Sequence, residues 1–593
     1  MRTVQDCRNP NVARRSYANV LLSCQARCQP CGISYPSACF GEVAVLPSPK
    51  VEVYFRLIIA KQSEIVLSLL RCLLLVFLGI SNVSHLVAQD RTTLIRNGRV
   101  MDGSGNPWFT ADVLIRGGQI EAVGDLGDAV ADEVIDATGL YVTPGFIDTH
   151  SHSGPGLATP GLSHGEPLLA MGLTTVFVNP DGGGPVDMSQ QRASLLDDGL
   201  GVNVAQMVPH GSLRRSVMGE EEREATPAEL ERMKRMVAVG MEAGAWGLSS
   251  GTYYVPGSYA PPEELEELAK EVAPYGGVYQ SHHRDESTYS VGLIASVEEV
   301  INVGRVAGIP TILTHVKALG PEVWGYGPAI VQRVEQARAE GVQVYADQYP
   351  YTASSTGLDA ALLPRWSQDG GRTALLERMG DPETMQLIRD GMIEGLARRG
   401  GADRIQFRRY PPDPSIEGRL LSDIATERGQ DPIDTAADLI RGGSAGIVSF
   451  NMIDADVEAL MVQPWTMTSS DGALPEFGVG VPHPRAYGAF ARKLRLYVEE
   501  KGTVNLEEAI RSMPSLPAGV FGVSDRGLLI PGMTADVVVF DLDTVRDVGT
   551  FSDPHHYAEG MVHVFVNGRA AIRDGEFTGD RAGEVLRKER PVS

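Results

Sequence analysis

Cysteine is missing from most of this chain. Six occur among 593 residues, at Cys7, Cys24, Cys28, Cys31, Cys39 and Cys72, and none follows. No thiolate is therefore available for catalysis or metal binding in the long remainder. Positive charge is scarce as well. Lys and Arg number 52 against 75 Asp and Glu, a formal net of −23, which excludes a nucleic-acid binder driven by phosphate neutralisation. The deficit is uneven: residues 1–89 carry nine basic and four acidic side chains, and the rest carries 43 and 71. Long apolar runs are lacking too. Residues 65–80 are interrupted by Arg71, and the unbroken part, 72–80, is far short of the roughly 20 residues that span a bilayer. What is present is ordinary for a chain with a sizeable core: 43% hydrophobic and 21% charged residues. With 66 Gly and 37 Pro there are many tight turns, without the period of collagen.

Residues 1–89 read as a leader. Lys61 and Arg71 precede the apolar run, and Leu86-Val87-Ala88 offers a cleavage site, the layout of a secretory signal. It begins some 60 residues late, so the expected true start lies near residue 50–60. The expected location is exported, periplasmic or secreted, if the segment near 61–88 acts as a signal, and cytoplasmic otherwise. A mature chain beginning near Met1 on N-terminal sequencing would sink the signal reading. An uncleaved anchor is the alternative, and no stable membrane span is expected in the mature chain. Cys24, Cys28 and Cys31 lack a nearby His or a second paired set, so they do not make a zinc finger.

From about Arg91 the texture changes. LIRNGRVMDGSG, ADVLIRGGQIEAVG and ADEVIDATGLYVTPG read as short strands punctuated by Gly, Asn-Gly and Asp-Gly turns. ADVVVFDLDTV and GMVHVFVNGRAAIRDG repeat that texture near the end. Between them, β-type runs alternate with helical stretches such as TPAELERMKRMVAVGMEAG and PPEELEELAKEVAPYG, which predicts βα units on a parallel sheet. The expected domains are a composite β-rich unit from 90–145 and 526–593 and a βα unit over 146–525. Residues from about 357 to 450 break the rhythm and read as a lid insertion.

Phe146-Ile147-Asp148-Thr149-His150-Ser151-His152 is an apolar strand ending in His-x-His. Residues i and i+2 of a strand point to one side, so both imidazoles can converge on one ion, although a lone His-x-His also occurs on solvated strand ends. Further β-type runs end at His282 and His283, at His315 and at Asp471. In a parallel barrel the C-terminal strand ends share one face, where active sites sit. Imidazoles and carboxylates suit zinc or a similar divalent ion. Arg485 follows in HPRAYG, with a planar fork suited to a carboxylate, or equally to an ion pair with one of many acidic neighbours. Tyr349 and Tyr351 flank Pro350 and could be core aromatics.

The stretches PGFIDTHSH, GLTTV, EAGAWGLSSGTYYVPGSYA, YQSHHRDE, DQYPYTASST, SSDG, HPRAYGAFAR and GMTADVVVFD occur in this order. From about residue 91 to the end the chain resembles the amidohydrolase superfamily, and within it the N-acyl-D-amino-acid deacylases, or D-aminoacylases. The resemblance implies an α/β fold, a (β/α)8 TIM-type barrel with a small β-sandwich built from both chain ends. It implies one or two divalent ions, zinc foremost, with His150 and His152 at one position and His282 and His315 at the other. Asp471 is then the catalytic acid/base, Arg485 holds the substrate α-carboxylate with Tyr349 and Ser355, and His283 is a neighbour. Lys317 and His210 match family positions without an assigned role. The family usually has a Cys ligand where this chain has Asp181, in GLTTVFVNPDGGG. Asp181 is either a harder ligand, able to bridge two ions, or a cap on the Gly182–Gly184 turn.

The expected reaction is hydrolysis of the amide bond of an N-acyl-D-amino acid by a metal-activated hydroxide, with Asp471 moving the proton. The rivals are another amidohydrolase, hydantoinase-like, dihydroorotase-like or a dipeptidase, and a non-catalytic binding protein on the same fold. The first commonly uses a carboxylated bridging lysine, and no body lysine ends a clear strand; Lys317 comes nearest, beyond His315. The second does not require five site residues together. The expected partner is a small N-acylated amino acid; the sequence leaves the oligomeric state open.

Overall fold

The computed structural model describes residues 91–591. Residues 1–89, expected as a leader, with all six cysteines and the signal-like segment, lie outside the described residues. Among those described, no helix is long and apolar enough to cross a membrane.

The two β-rich ends meet in one nine-stranded sheet. Its strands are β1 (Thr92–Val100), β2 (Phe109–Arg116), β3 (Gln119–Gly124), β4 (Glu133–Asp136) and β5 (Tyr141–Pro144) from one end, and β18 (Val537–Phe540), β19 (Met561–Val566), β20 (Arg569–Arg573) and β21 (Glu576–Phe577) from the other. The order is β21-β20-β19-β18-β5-β1-β2-β3, with β4 beside β1. The junction is the antiparallel pair β5 and β18, whose register sets Val142 opposite Val539. Ile95, Val113 and Val142 pack in one cluster with Val537, Val539 and Phe565, so the two ends share a core. Asn567-Gly568 and Asp574-Gly575 form tight hairpin turns, all four residues at positive φ. Asn97-Gly98 behaves differently. It sits at a register shift inside β1, a bulge instead of a turn, and a Cβ at position 98 would lie 2.4 Å from Val142.

The middle of the chain supplies two parallel sheets. One contains β6 (Phe146–Asp148), β7 (Leu173–Val178) and β8 (Asn203–Gln206). The other runs β9 (Val208–Pro209), β10 (Gly247–Gly251), β11 (Val278–His282), β12 (Thr311–Leu313), β13 (Val344–Gln348) and β17 (Thr466–Thr468). Strands β7, β10 and β11 are buried along their whole length, as parallel strands covered on both faces are. The helices lie where the amphipathic stretches predict them. Pro227–Glu242 starts at a capping box in which Thr226 accepts from Glu229 N–H and Glu229 reaches back to Thr226. Pro262–Lys270 follows β10, and both helices bury their apolar sides against the β9–β13 sheet.

Two features differ from expectation. The last strand, β22 (Val585–Leu586), leaves the composite sheet and pairs in parallel with β8, covering an edge that would otherwise be open. The segment expected as an insertion, about 357–450, has elements of its own that begin at Ser354. It contains the antiparallel sheet β14 (Ser354–Gly357), β16 (Gly446–Ser449) and β15 (Ile405–Arg409), in that order, plus helices such as Pro382–Arg398. It has its own core around Leu358, Ile388, Phe407, Leu421 and Ile447.

Candidate metal centre

The C-terminal ends of the parallel strands bring the sequence-predicted residues together. His150 and His152 follow β6, Asp181 follows β7, His282 ends β11, His315 follows β12 and Asp471 follows β17. His150, His152, Asp181 and Asp471 form one group that could hold an ion, and Asp181, His282 and His315 form a second. Asp181 is common to both. Its Oδ1 lies 3.3 Å from His150 Nε2 and 3.5 Å from His315 Nε2, and its Oδ2 lies 3.4 Å from His152 Nε2 and 3.8 Å from His282 Nδ1. Turn capping does not describe it. Gly183 N–H donates to Pro180 O and Gly184 N–H to Ser212 Oγ, so the glycine turn is held by other groups.

A metal fits this donor set. Both ring nitrogens of His150, both of His282 and Asp181 Oδ1 are buried without a hydrogen-bond partner, a cost that nearby ligand bonds remove. Electrostatics point the same way. Burial opposes charge on His152, yet the Asp181 and Asp471 carboxylates 3.4 and 3.2 Å from its Nε2 raise it to about 9. The carboxylates thus stabilise positive charge among the imidazoles, which is the demand a divalent cation satisfies. Asp181, His315 and Asp471 all adopt positive φ, of 54°, 37° and 47°, so backbone strain is concentrated at the site.

A second layer orients these ligands, and sequence reasoning missed it. Asp347 on β13 accepts from His315 N–H at 2.8 Å and from Ser469 Oγ at 2.7 Å, while its free Oδ2 lies 4.0 Å from His150 Nδ1. Asp148 accepts from His150 N–H at 3.2 Å and Ser470 N–H at 2.9 Å, tying β6 to the segment that carries Asp471. Burial pushes Asp148 up to about 6. Glu286 is buried and faces Lys317 Nζ at 2.5 Å, His315 Nδ1 at 3.3 Å and His282 Nε2 at 3.7 Å. Arg284 does not pair with Asp285 or Glu286; it reaches Glu299 at 2.8 Å. His283 lies outside both ligand groups; its Nδ1 meets Ser296 Oγ at 2.9 Å, and burial holds it near 3. His210 pairs with Glu264 at 2.8 Å.

The cluster opens into a cavity of ≈ 280 Å³ lined by Arg485, Tyr349 and Ser355 as well. Arg485 begins the helix Arg485–Arg492, is buried, and places Nη1 2.8 Å from Asp471 Oδ2 with its guanidinium 4.6 Å from the centre of the Tyr349 ring. Ser355 lines the cavity, but its hydroxyl donates to Ile447 O at 2.9 Å, leaving the oxygen as an acceptor. Two unforeseen arginines join from the insertion. Arg399 is buried and donates to Tyr253 Oη at 2.9 Å, Ser449 Oγ at 3.2 Å and Ala361 O at 3.3 Å. Arg408 has a buried Nε without a partner. Neither has a carboxylate partner among the described residues, whereas Arg485 and Lys317 do.

Comparison with known proteins agrees with this geometry. The amidohydrolase family model matches residues 133–275 and 301–572. The N-acyl-D-glutamate deacylase of Alcaligenes xylosoxydans xylosoxydans is 36% identical over 520 residues, 84% of this chain and 97% of that protein. A solved N-acyl-D-glutamate deacylase from Bordetella bronchiseptica, complexed with zinc and a phosphonate mimic of the tetrahedral intermediate, is 34% identical with a TM-score of 0.72, covering 84% of this chain and 100% of that one. A D-aminoacylase structure with a binuclear metal centre is 33% identical, also with a TM-score of 0.72, covering 84% and 99%.

Proposed function

The chain belongs to the amidohydrolase family, and on that footing we propose that it hydrolyses the amide bond of N-acyl-D-amino acids, releasing a carboxylic acid and a free D-amino acid. One observation carries the proposal: Asp471 stands between the His150–His152 pair, 3.6 and 3.2 Å away, and Arg485 at 2.8 Å, in a single cavity. The two parallel sheets are, on this reading, arcs of one closed (β/α)8 barrel. Hydrogen bonds from Asp471 N–H to His150 O and from His152 N–H to Gly472 O support closure between β17 and β6. The nine-stranded sheet is correspondingly a β-sandwich, and the insertion a lid.

His150, His152, Asp181, His282 and His315 would hold one or two divalent ions, zinc foremost. Such an ion lowers the pKa of water toward about 7 and polarises a carbonyl. Asp471 accepts the proton of the attacking water as its oxygen bonds to the acyl carbon. It then delivers that proton to the amide nitrogen as the C–N bond breaks, because an amine leaves poorly unless protonated. Arg485, stacked on Tyr349, receives the substrate α-carboxylate and fixes which face of the carbonyl meets the water. A lysine-bridged centre finds no support, since Lys317 Nζ is taken up by Glu286 at 2.5 Å and His315 Nδ1 at 2.6 Å.

The arginines of the insertion favour an acidic substrate side chain. A buried cation without a counter-ion is costly, so a second carboxylate beside Arg399 and Arg408 is rewarded. The test is amine release from N-acetyl derivatives of D- and L-glutamate, aspartate and leucine, with zinc added and with metal stripped. D-Glutamate or D-aspartate derivatives are expected to react fastest, and only with metal. Release from no D-substrate would overturn the reading. Arg408→Ala should cost about 2 kcal/mol, roughly 30-fold in kcat/KM, on the acidic substrate and distinctly less on N-acetyl-D-leucine.

A further inference from the structure

A second cavity borders the same cluster. It measures ≈ 730 Å³ and shares His152, Asp181 and Tyr254 with the smaller one. The cluster therefore sits at the boundary between two spaces of contrasting chemistry. The smaller space holds Arg485, Arg408, Arg399 and Lys317. The larger is walled by Pro155, Ala158, Gly183, Gly184, Pro185 and Ser194. Its polar groups are largely satisfied. Asn179 Nδ2 donates to Gln191 Oε1 at 2.8 Å and Met207 O at 3.0 Å, and Gln191 Nε2 returns to Asn179 Oδ1 at 2.8 Å. Arg215, which also borders it, is tied to Glu220 at 2.6 Å and Val255 O at 3.1 Å. The charge of Arg215 is thus already compensated, and the wall carries no second cation.

We infer that this second cavity is the acyl subsite and that it takes a medium-length apolar acyl chain. The inference rests on the deacylase reading above. A substrate whose amide lies at the cluster must send one end into each space. The cationic space claims the carboxylate end, so the acyl group enters the neutral one. An acetyl group fills well under ~100 Å³ at about 30 Å³ per water-sized group, leaving most of the groove in contact with water. An octanoyl chain would instead remove several methylenes from water, each worth about 0.8 kcal/mol when buried. The small side chains of the wall are what leave this room: Ala158 caps the helix Gly154–Leu157, and Ser194 lies on the helix Met188–Leu196.

The test compares N-acetyl- and N-octanoyl-D-glutamate with the metal-loaded enzyme. The wild type should hydrolyse the octanoyl substrate at least as efficiently as the acetyl one. Ala158→Trp, and independently Ser194→Trp, should lower the octanoyl-to-acetyl ratio of kcat/KM by ~10-fold or more, the scale on which a pocket discriminates methylenes. The ratio is read only on folded, active protein, so loss of folding in one variant leaves the other and the wild type to decide. Efficient acetyl hydrolysis with octanoyl ~100-fold slower would overturn the acyl subsite and leave the deacylase reading standing. An unchanged ratio in both variants would also overturn it. Inertness toward both substrates would overturn the deacylase reading itself.

Discussion

Asp471→Asn should keep bound metal and lose about 10²–10⁴-fold in kcat. The substitution is isosteric, so the strained backbone at φ 47° and the hydrogen bond from Asp471 N–H to His150 O need not change. What disappears is the ability to accept a proton. Asp471 belongs to one ligand group only; Asp181, His282 and His315 form the other without it. Metal content should therefore persist while turnover collapses. Arg485 would also lose its charged partner at 2.8 Å, so KM for the carboxylate-bearing substrate should fall or stay level instead of rising. Metal analysis and kcat measured on the same preparation settle it. A near-normal rate would remove Asp471 from the acid/base role, and loss of metal would recast it as a ligand.

The ligand and acid/base residues read from strand pattern share one property: each closes an apolar run. His150, His152, His282, His315 and Asp471 follow buried strand residues, so the strand pattern predicts a common edge even without the fold. The residues that were missed lack that local signal. Glu286 sits four positions after His282 in an irregular loop, where its nearest basic neighbour in sequence, Arg284, is not its partner in space. Asp347 and Asp148 lie within the apolar runs themselves, where a carboxylate gives no hint of what it orients. Arg399 and Arg408 belong to a segment with its own core, and their place at the cavity depends on contacts such as Arg399 to Tyr253, 146 residues apart. The same holds for the fold. Hairpin turns at Asn567-Gly568 and Asp574-Gly575 are local and legible. The bulge at Asn97-Gly98 is set by Val142 on a neighbouring strand, and β22 by an open edge some 380 residues upstream, at Val204 and Ala205.

Asp181 carries the other large effect. Asp181→Ala should lower metal content by at least one equivalent per chain and abolish turnover even in excess zinc. The side chain is within 3.3 to 3.8 Å of all four ligand imidazoles, and it is the member common to both groups. Removing it leaves His150, His152, His282 and His315 without the carboxylate that stabilises positive charge between them. The turn's hydrogen bond, Gly183 N–H to Pro180 O, does not use the Asp181 side chain, but Ala at φ 54° adds backbone strain that Asp tolerates better. Unfolding temperature then separates ligand loss from collapse of the loop. Asp181→Cys makes the complementary test, because a thiolate is a softer donor that selects zinc over harder ions. Equilibrated with equal zinc and manganese, that variant should retain metal and shift the bound Zn:Mn ratio toward zinc by roughly 10-fold relative to the wild type. If Asp181→Ala kept the wild-type stoichiometry, Asp181 would leave the ligand set. If Asp181→Cys bound both ions in the wild-type ratio, the carboxylate would not be what sets the metal preference of this chain.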